Sequence, residues 1–371
     1  MESPDSFFQQ KRPWSKYKDL ILDYYLVPYL QKVKLLRRPI VVVDCFAGPG
    51  RFDDGLPGSP LIIAEKLRPL CEGGARVLGL YIEKKAQRYK QLVRNTEGSP
   101  IPVKTRHGEF RDHVDEVADL AKTCTVFIYA DPFKPSDILF DDLRVVYDRT
   151  KSGSSIETLI NFMSFGFVRA VSGLRSRIVT DGVVREDHEL TARWDNVAGG
   201  TYWHNIVFGA SGSEDDKADQ LAASYSENLA RWFKWRLWCP IREKYADKNP
   251  KYHLVFGSPS EHAVDLMNRA MVKARRKFIE DGFIKGFLFP NQPEKEVFNL
   301  EEVIKLVLAT AGVTNKVSWR KLRLCTTMAK PGTYTDSEFN RAIKEAIRSG
   351  RLGSDCPGKK IEDNAAVWPL R

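Results

Sequence analysis

The chain has no apolar run approaching the roughly 20 residues needed to span a bilayer. Its opening, MESPDSFFQQKRPWSK, has no apolar core of the kind a secretory signal carries. No membrane helix is therefore expected, and the chain reads as cytoplasmic with no membrane partner. The six cysteines, Cys45, Cys71, Cys124, Cys239, Cys325 and Cys356, stand far apart and form no C-x-x-C pair. Neither a zinc site nor a disulfide framework is indicated, so no metal is expected and the thiols should be free. Two phosphate-binding signatures are missing as well. A P-loop Gly-Lys-Ser/Thr occurs nowhere, and the glycine turn Gly48-Pro49-Gly50 has Asp53 where a dinucleotide fingerprint puts its third glycine. Internal repeats and low-complexity segments are also absent.

What remains is a soluble-type composition, 43% hydrophobic and 29% charged over 371 residues, enough for a large α/β domain and a smaller one. The formal charge of +10 is compatible with a polyanion partner, because neutralising phosphates releases counterions, but it does not select one by itself.

Residues 1–38 read as an N-terminal helical segment. Leu20, Tyr24, Leu26 and Leu30 recur at helical spacing from Ser15 to about Val33, and Pro28 is expected to kink or split the helix. The β-branched run Ile40 to Val43 then reads as a strand buried on both faces. Strand and helix patterns alternate from there through "ARVLGLYIE", "PVKTRHGEF", "CTVFIYADPF" and "ETLINFMSFGF", which implies a Rossmann-like, doubly wound parallel sheet. "WRLWCPI" and "YHLVFGS" flank a turn-rich stretch and read as an antiparallel hairpin ending that sheet. This ending is the one class I methyltransferases have, whereas dinucleotide dehydrogenases usually continue with crossovers. The domain is placed at 39–290, with residues 172–230 as an insertion overlooking the site.

A small helical unit is expected over 299–371. Asn299 and Glu302, and again Thr335 and Glu338, stand in capping-box spacing. Phe339, Ala342, Ile343, Ala346 and Ile347 form one apolar face, and residues 351–370 read as a two-stranded wing. The outline is that of a winged helix-turn-helix. Arg341, Lys344 and Arg348 on the outward face, with Lys359 and Lys360 in the wing, are its expected nucleic-acid contacts.

The chemistry concentrates at strand ends. Asp44 precedes Gly48-Pro49-Gly50 and would repel a pyrophosphate, yet it suits S-adenosylmethionine, which carries an ammonium and a sulfonium and no phosphate. Glu83 ends the second strand, where a carboxylate accepts both ribose hydroxyls; as a bland alternative it is only a cap for the lysine-rich helix that follows. Glu109 and Phe110, read as third-strand residues, fall where adenine would lie. Ser59, followed by Pro60, reads as an N-cap beside the donor turn. After the fourth strand, Asp131-Pro132-Phe133 stands where base aminomethyltransferases carry a D-P-P-Y type motif, whose first residue accepts from an exocyclic amine and whose ring stacks on an extruded base. Asp-Pro also begins many ordinary turns. Three other features read as packing or solvated surface before they read as sites: Trp203 with His204, the Trp232 to Trp238 cluster, and the basic run Lys273, Arg275, Arg276 and Lys277.

"WSKYKDLILDYYLVPYL" before "VVVDCFAGPGRFDDGLPGSPLIIAEKL", then "YIEK", "ADPF" and "YHLVFGSPSEHAVDLMNRAM", resemble the three-Cys-motif partner proteins (TcmP) over most of the chain. The resemblance implies a class I S-adenosylmethionine-dependent methyltransferase-like fold. It also implies a partner that is radical-S-adenosylmethionine-like and carries the three cysteines. Carried over, Asp44, Phe46, Ala47, Gly48 and Gly50 form the donor turn, Glu83 the ribose contact, and Asp131, Pro132 and Phe133 the catalytic edge. One departure is Lys134, where the family commonly has glycine; its side chain narrows the mouth or offers a cation to a phosphate. The expected function is methyl transfer to a base amine or hydroxyl of DNA or RNA. A second reading is a nucleic-acid-binding partner subunit, in phage defence or repair, whose donor site is vestigial or regulatory.

Overall fold

The computed structural model of the chain describes residues 8–174, 179–180, 183–184, 188–209, 211–243, 250–284, 298–314, 316–356 and 363–370. Two compact units, Met1–Ser260 and Glu261–Arg371, divide it.

In the first unit, strands β1 (Ile40–Asp44), β2 (Val77–Glu83), β3 (Val103–His107), β4 (Thr125–Ala130), β5 (Ser155–Phe162), β6 (Trp235–Ile241) and β7 (Tyr252–Ser258) make one sheet in the order β3-β2-β1-β4-β5-β7-β6. The first five are parallel, and β7 runs antiparallel to both β5 and β6. This is the class I methyltransferase topology. Every residue of β1 and β4 is buried, as strands covered on both faces require. Helices α1 (Pro13–Val33), α2 (Ser59–Glu72), α3 (Ala86–Thr96), α4 (Val114–Thr123), α5 (Phe140–Tyr147) and α6 (Ser164–Ser172) flank the sheet. Between α6 and β6 lie α7 (His188–Ala198) and α8 (Glu214–Asn228), within the stretch read from sequence as an insertion. Leu221, Ala222 and Tyr225 of α8 are part of the main core, so this part of the stretch packs on the sheet.

Several local expectations shift. Helix α1 is one helix that continues through Pro28. Pro28 lies on its half-exposed side next to exposed Val27, where solvent can satisfy the carbonyl that the ring leaves without a donor. The buried face of α1 runs through Tyr17, Ile21, Tyr25 and Tyr29 with Leu22, Leu26 and Leu30, while Leu20 and Tyr24 are only half-buried. Strand β3 ends at His107, so Glu109 and Phe110 belong to a short 3-10 turn, which Glu109 caps. Gly58, not Ser59, is the N-cap of α2. Trp203, Trp232, Phe233 and Trp235 are buried.

The second unit holds α9 (Glu261–Ile284), α10 (Leu300–Thr314), β8 (Val317–Ser318), α11 (Trp319–Ala329), α12 (Asp336–Arg348), β9 (Leu352–Ser354) and β10 (Ala366–Pro369), with the strands in the order β8-β10-β9. Val303, Ile304, Leu322, Phe339 and Ile343 form its core. Helix α9, expected from sequence in the first domain, is held to this unit: the Asn268 amide donates to the Tyr334 carbonyl (2.9 Å) and accepts from the Gly332 N–H (2.8 Å). Thr335 and Glu338 close the expected capping box of α12. Among the described residues no helix is long and apolar enough to cross a membrane, no His/Cys/Asp/Glu group could hold a metal, and all six cysteines are free.

Helix α1 is fastened to the sheet by a buried carboxyl. Glu157 of β5 accepts from the Tyr25 hydroxyl and, at 2.8 Å, from the Ser258 hydroxyl of β7. Burial pushes Glu157 up to about 7, against the pull of these two donors. A carboxyl raised in the folded state contributes stability that is present below its ordinary pKa and is lost as pH rises through about 7. Glu157→Gln should therefore gain on the wild type by up to about 3 kcal/mol between pH 5 and pH 8 in urea titrations. An identical wild-type-to-variant difference at both pH values would refute this.

Candidate active site at the carboxyl edge of the sheet

The parallel strands deliver their carboxyl ends to one edge, which is where doubly wound sheets bind ligands. Asp44 ends β1, Glu83 ends β2, Asp131 follows β4, and Asn161 stands near the end of β5.

The turn after β1 is tied to both neighbouring strands. Cys45 N–H donates to the Tyr129 carbonyl and Ala47 N–H to the Ile82 carbonyl, each at 2.9 Å. Gly48 N–H donates to Glu83 Oε2 (2.9 Å), and Lys85 N–H to Glu83 Oε1 (2.7 Å). Glu83 thus holds the N–H of Lys85, the N-cap residue of the following helix, and is a strut for the glycine turn. A carboxylate offers about four acceptor positions, so capacity remains on each oxygen. Gly48 and Gly50 have φ of 62° and 80°, in the left-handed region that favours glycine. A Cβ on Gly48 would also stand 2.9 Å from the ring of Phe8.

Asp44 lies wholly buried beneath this turn. Its Oδ1 accepts the Phe46 N–H (3.1 Å), and Oδ2 has no hydrogen-bond partner. Burial raises its carboxyl to about 7, although Ser59, the Phe46 N–H and Lys18 favour the ionised form.

A pocket of about 200 Å³ opens beside the turn and gathers six of the residues singled out from sequence: Phe46, Glu83, Glu109, Phe110, Phe133 and Lys134. An adjoining, smaller one of about 30 Å³ shares Phe46 and Phe133 and adds Ala47, Gly48, Gly50, Ser59 and Asp131. Asp44 and Pro132 are buried and line neither. Glu109 pairs with Arg111 at 3.0 Å. The Lys134 N–H donates to Asp137 (2.9 Å), which also pairs with Lys84 (2.8 Å).

Five further residues enter the site. Lys18 of α1, buried, is ion-paired with Asp131 Oδ2, while the Asn161 amide donates to Asp131 Oδ1 at 2.7 Å. Asp19 lines the same small pocket and pairs with Lys11. Burial lowers the Lys18 pKa, but Asp131, Asp19 and Asp44 outweigh it, and the net shift is upward. Phe8 sets its ring edge-on to Phe133 (5.6 Å), and the Arg88 guanidinium lies over both rings, at 4.5 Å from Phe8 and 5.0 Å from Phe133. The Phe8 carbonyl accepts the Asp53 N–H (2.9 Å), and Lys11 N–H donates to Asp54 (2.9 Å), so this segment is stitched to the loop that follows the glycine turn. Asn161 had a legible signal, being a polar residue near the end of an apolar strand. Lys18 and Arg88 had none, since each stands among other basic residues on a helix.

On the second unit, Arg341, Lys344 and Arg348 are exposed with Ser337 along one stripe of α12. Arg348 pairs with Glu345 (2.7 Å), and Arg341 lies over Phe298 (5.4 Å). Lys359 and Lys360 lie outside the described residues. Arg276 and Lys277 of α9 pair with Glu338 and Asp281, each at 2.8 Å, as a solvated helix face would. Trp203 and His204 both bind Asp195, at 2.8 Å, as local packing.

No family model and no curated protein matches the sequence. Solved structures similar to the chain include a Legionella pneumophila protein of family-model DUF519 (TM-score 0.41, 10% identity, covering 73% of this chain and 94% of that one). Trm1 from Pyrococcus horikoshii in complex with S-adenosyl-L-methionine is another (0.35, 10%, 99% and 93%). Loganic acid methyltransferase with SAH is a third (0.31, 10%, 70% and 98%).

The Lys18–Asp131 pair generates a stability prediction. Removing one partner of a buried pair leaves the other charge uncompensated, so Lys18→Met should cost roughly 3–5 kcal/mol, much of it recovered in Lys18→Met/Asp131→Asn. Urea denaturation of the four proteins checks it. A single-variant loss below about 1 kcal/mol would mean that the pair behaves as a surface one.

Proposed function

We propose that the protein is an S-adenosylmethionine-dependent methyltransferase acting on nucleic acid. The observation that carries the cofactor is the buried Asp44 Oδ2, which lacks a partner beneath a glycine turn with no phosphate-binding signature. An ammonium answers that need, and a pyrophosphate does not. The remaining residues fit the same donor: Glu83 has acceptor capacity for ribose hydroxyls, and Phe110 and Glu109 line the neighbouring pocket where adenine would lie. When bound, the donor supplies a methyl group made electrophilic by its sulfonium. Phe133 borders that pocket and the smaller one, and Asp131 lines the smaller one, so the acceptor is received there by groups the fold holds in place.

The nucleic-acid reading rests on the charge of +10 and on the second unit. Its order of α10, β8, α11, α12, β9 and β10, with β10 central in the sheet, reads as a winged helix-turn-helix with α12 as recognition helix. The resemblance to three-Cys-motif partner proteins adds the radical-S-adenosylmethionine-like protein as an expected partner.

Calorimetry should show binding of S-adenosylhomocysteine and none of NAD. Because only ionised Asp44 holds an ammonium, affinity should rise with pH toward about 7 and level off above it, by up to about tenfold per unit below it. Asp44→Asn should bind weakly with a flat profile. Tight NAD binding, or a flat wild-type profile, would sink the assignment.

For the second unit, replacing Arg341, Lys344 and Arg348 by Ala should weaken nucleic-acid binding. It should also reduce the slope of log affinity against log salt by about 0.7–0.9 for each phosphate no longer neutralised. An unchanged slope would place the nucleic acid elsewhere.

A further inference from the structure

We infer that the methyl acceptor is a ribose 2′-hydroxyl of RNA, and that Lys18, reaching the site from α1, selects oxygen over an exocyclic nitrogen. The inference rests on the methyltransferase reading and narrows it.

Three observations carry it. Both Asp131 oxygens are already engaged, Oδ2 by the Lys18 ammonium and Oδ1 by the Asn161 amide at 2.7 Å. The carboxylate still has lone pairs to offer, and its side chain is 22% exposed toward the small pocket, so it can accept one more proton donor. Beside it stands a cation with three N–H donors and no acceptor. An exocyclic amine presents two donors, is a poor acceptor, and gains positive charge as it is methylated, so an ammonium next to it is unfavourable on each count. A hydroxyl is a donor and an acceptor at once. Its O–H donates to Asp131, and its oxygen, which gains negative charge as the proton leaves, faces Lys18.

The net upward shift of Lys18 keeps it charged, so it acts as a fixed cation and not as a base. The reaction balances without a further reagent. The oxygen lone pair forms the new C–O bond, the methyl C–S bond breaks with its electron pair remaining on sulfur, and the hydroxyl proton passes to Asp131 and then to water.

The third observation concerns stacking. An extruded base stacks on an aromatic face, and one face of the Phe133 ring is already taken by the Arg88 guanidinium at 5.0 Å, with Phe8 in T-shaped contact with the same ring, so Phe133 offers a base less stacking surface than a free ring does. In an internal nucleic-acid chain the free hydroxyl is the 2′ one, so an oxygen acceptor means RNA.

Full-length protein, tritiated S-adenosylmethionine, and total cellular RNA and DNA provide the test. Label should enter RNA alone and, after alkaline hydrolysis, remain in alkali-resistant dinucleotides, because 2′-O-methylation blocks cleavage. Label in DNA, or in mononucleotides released by alkali, would overturn the inference and leave the methyltransferase reading standing. No label in either polymer, from protein that binds S-adenosylhomocysteine, would overturn both. A second readout needs no donor. By fluorescence anisotropy, a random-sequence single-stranded oligoribonucleotide should bind roughly tenfold to 150-fold tighter than its 2′-deoxy counterpart, as one hydrogen bond to charged groups implies. Lys18→Met should abolish that preference and Lys18→Arg should retain part of it. Equal binding of the two oligonucleotides by the wild type would overturn the inference. Should Lys18→Met fail to fold, the wild-type label position and oligonucleotide preference still decide.

Discussion

Strands β1 and β4 are buried along their whole length, so the places left on them for charged groups are their carboxyl ends. The placing of the candidate site in the first unit follows from that constraint. Asp44 and Asp131 stand where two adjacent buried strands run out, and Glu83 does the same on the next strand. Parallel pairing brings all three to one edge, and right-handed crossovers keep the helices off it. Carboxylates here sit at the rim of a low-dielectric slab. That position makes Asp44 costly to ionise and makes any cation that reaches it valuable.

Much of this was legible in the sequence because it depends on local patterns. The β-branched run from Ile40 to Val43, the positive-φ glycines behind it and the hairpin that ends the sheet are signals within ten or so residues. They suffice to place Asp44, Glu83 and Asp131 at strand ends. Contacts made across long stretches of chain were not legible. Lys18 meets Asp131 across 113 residues, and nothing about a lysine in a basic helix announces a buried partner. The same holds for Arg88, whose neighbours Phe8 and Phe133 come from opposite directions along the chain. Element ends moved for a similar reason: β3 stops at His107 because Gly108, with φ of 141°, turns the backbone before Glu109 begins a new turn. Ser59 has the chemistry of a cap, but Gly58 holds the extended conformation at that place.

As sequence, helix α1 is a helical prelude to the domain. In the fold its two ends do different things: Tyr25 and Tyr29 anchor it against the sheet, near Glu157 and Phe127, while Lys18 and Asp19 reach the edge where the strands end. The anchoring half brings the same helix's charged half to that edge.

The segment before α1 has a practical consequence. The Phe8 ring packs against Gly48, and Lys11 binds Asp54, Asp19 and the Pro57 carbonyl (2.6 Å for the last), so the wall over the glycine turn is assembled from two pieces of chain. A protein trimmed to begin at Pro13 would retain the sheet, the pocket carboxylates and every strand-end residue, yet its glycine turn would be bare on one side. Ligand affinities measured on such a shortened chain would describe a differently shaped cavity, and residues 8–12 would have to be counted as part of the candidate site.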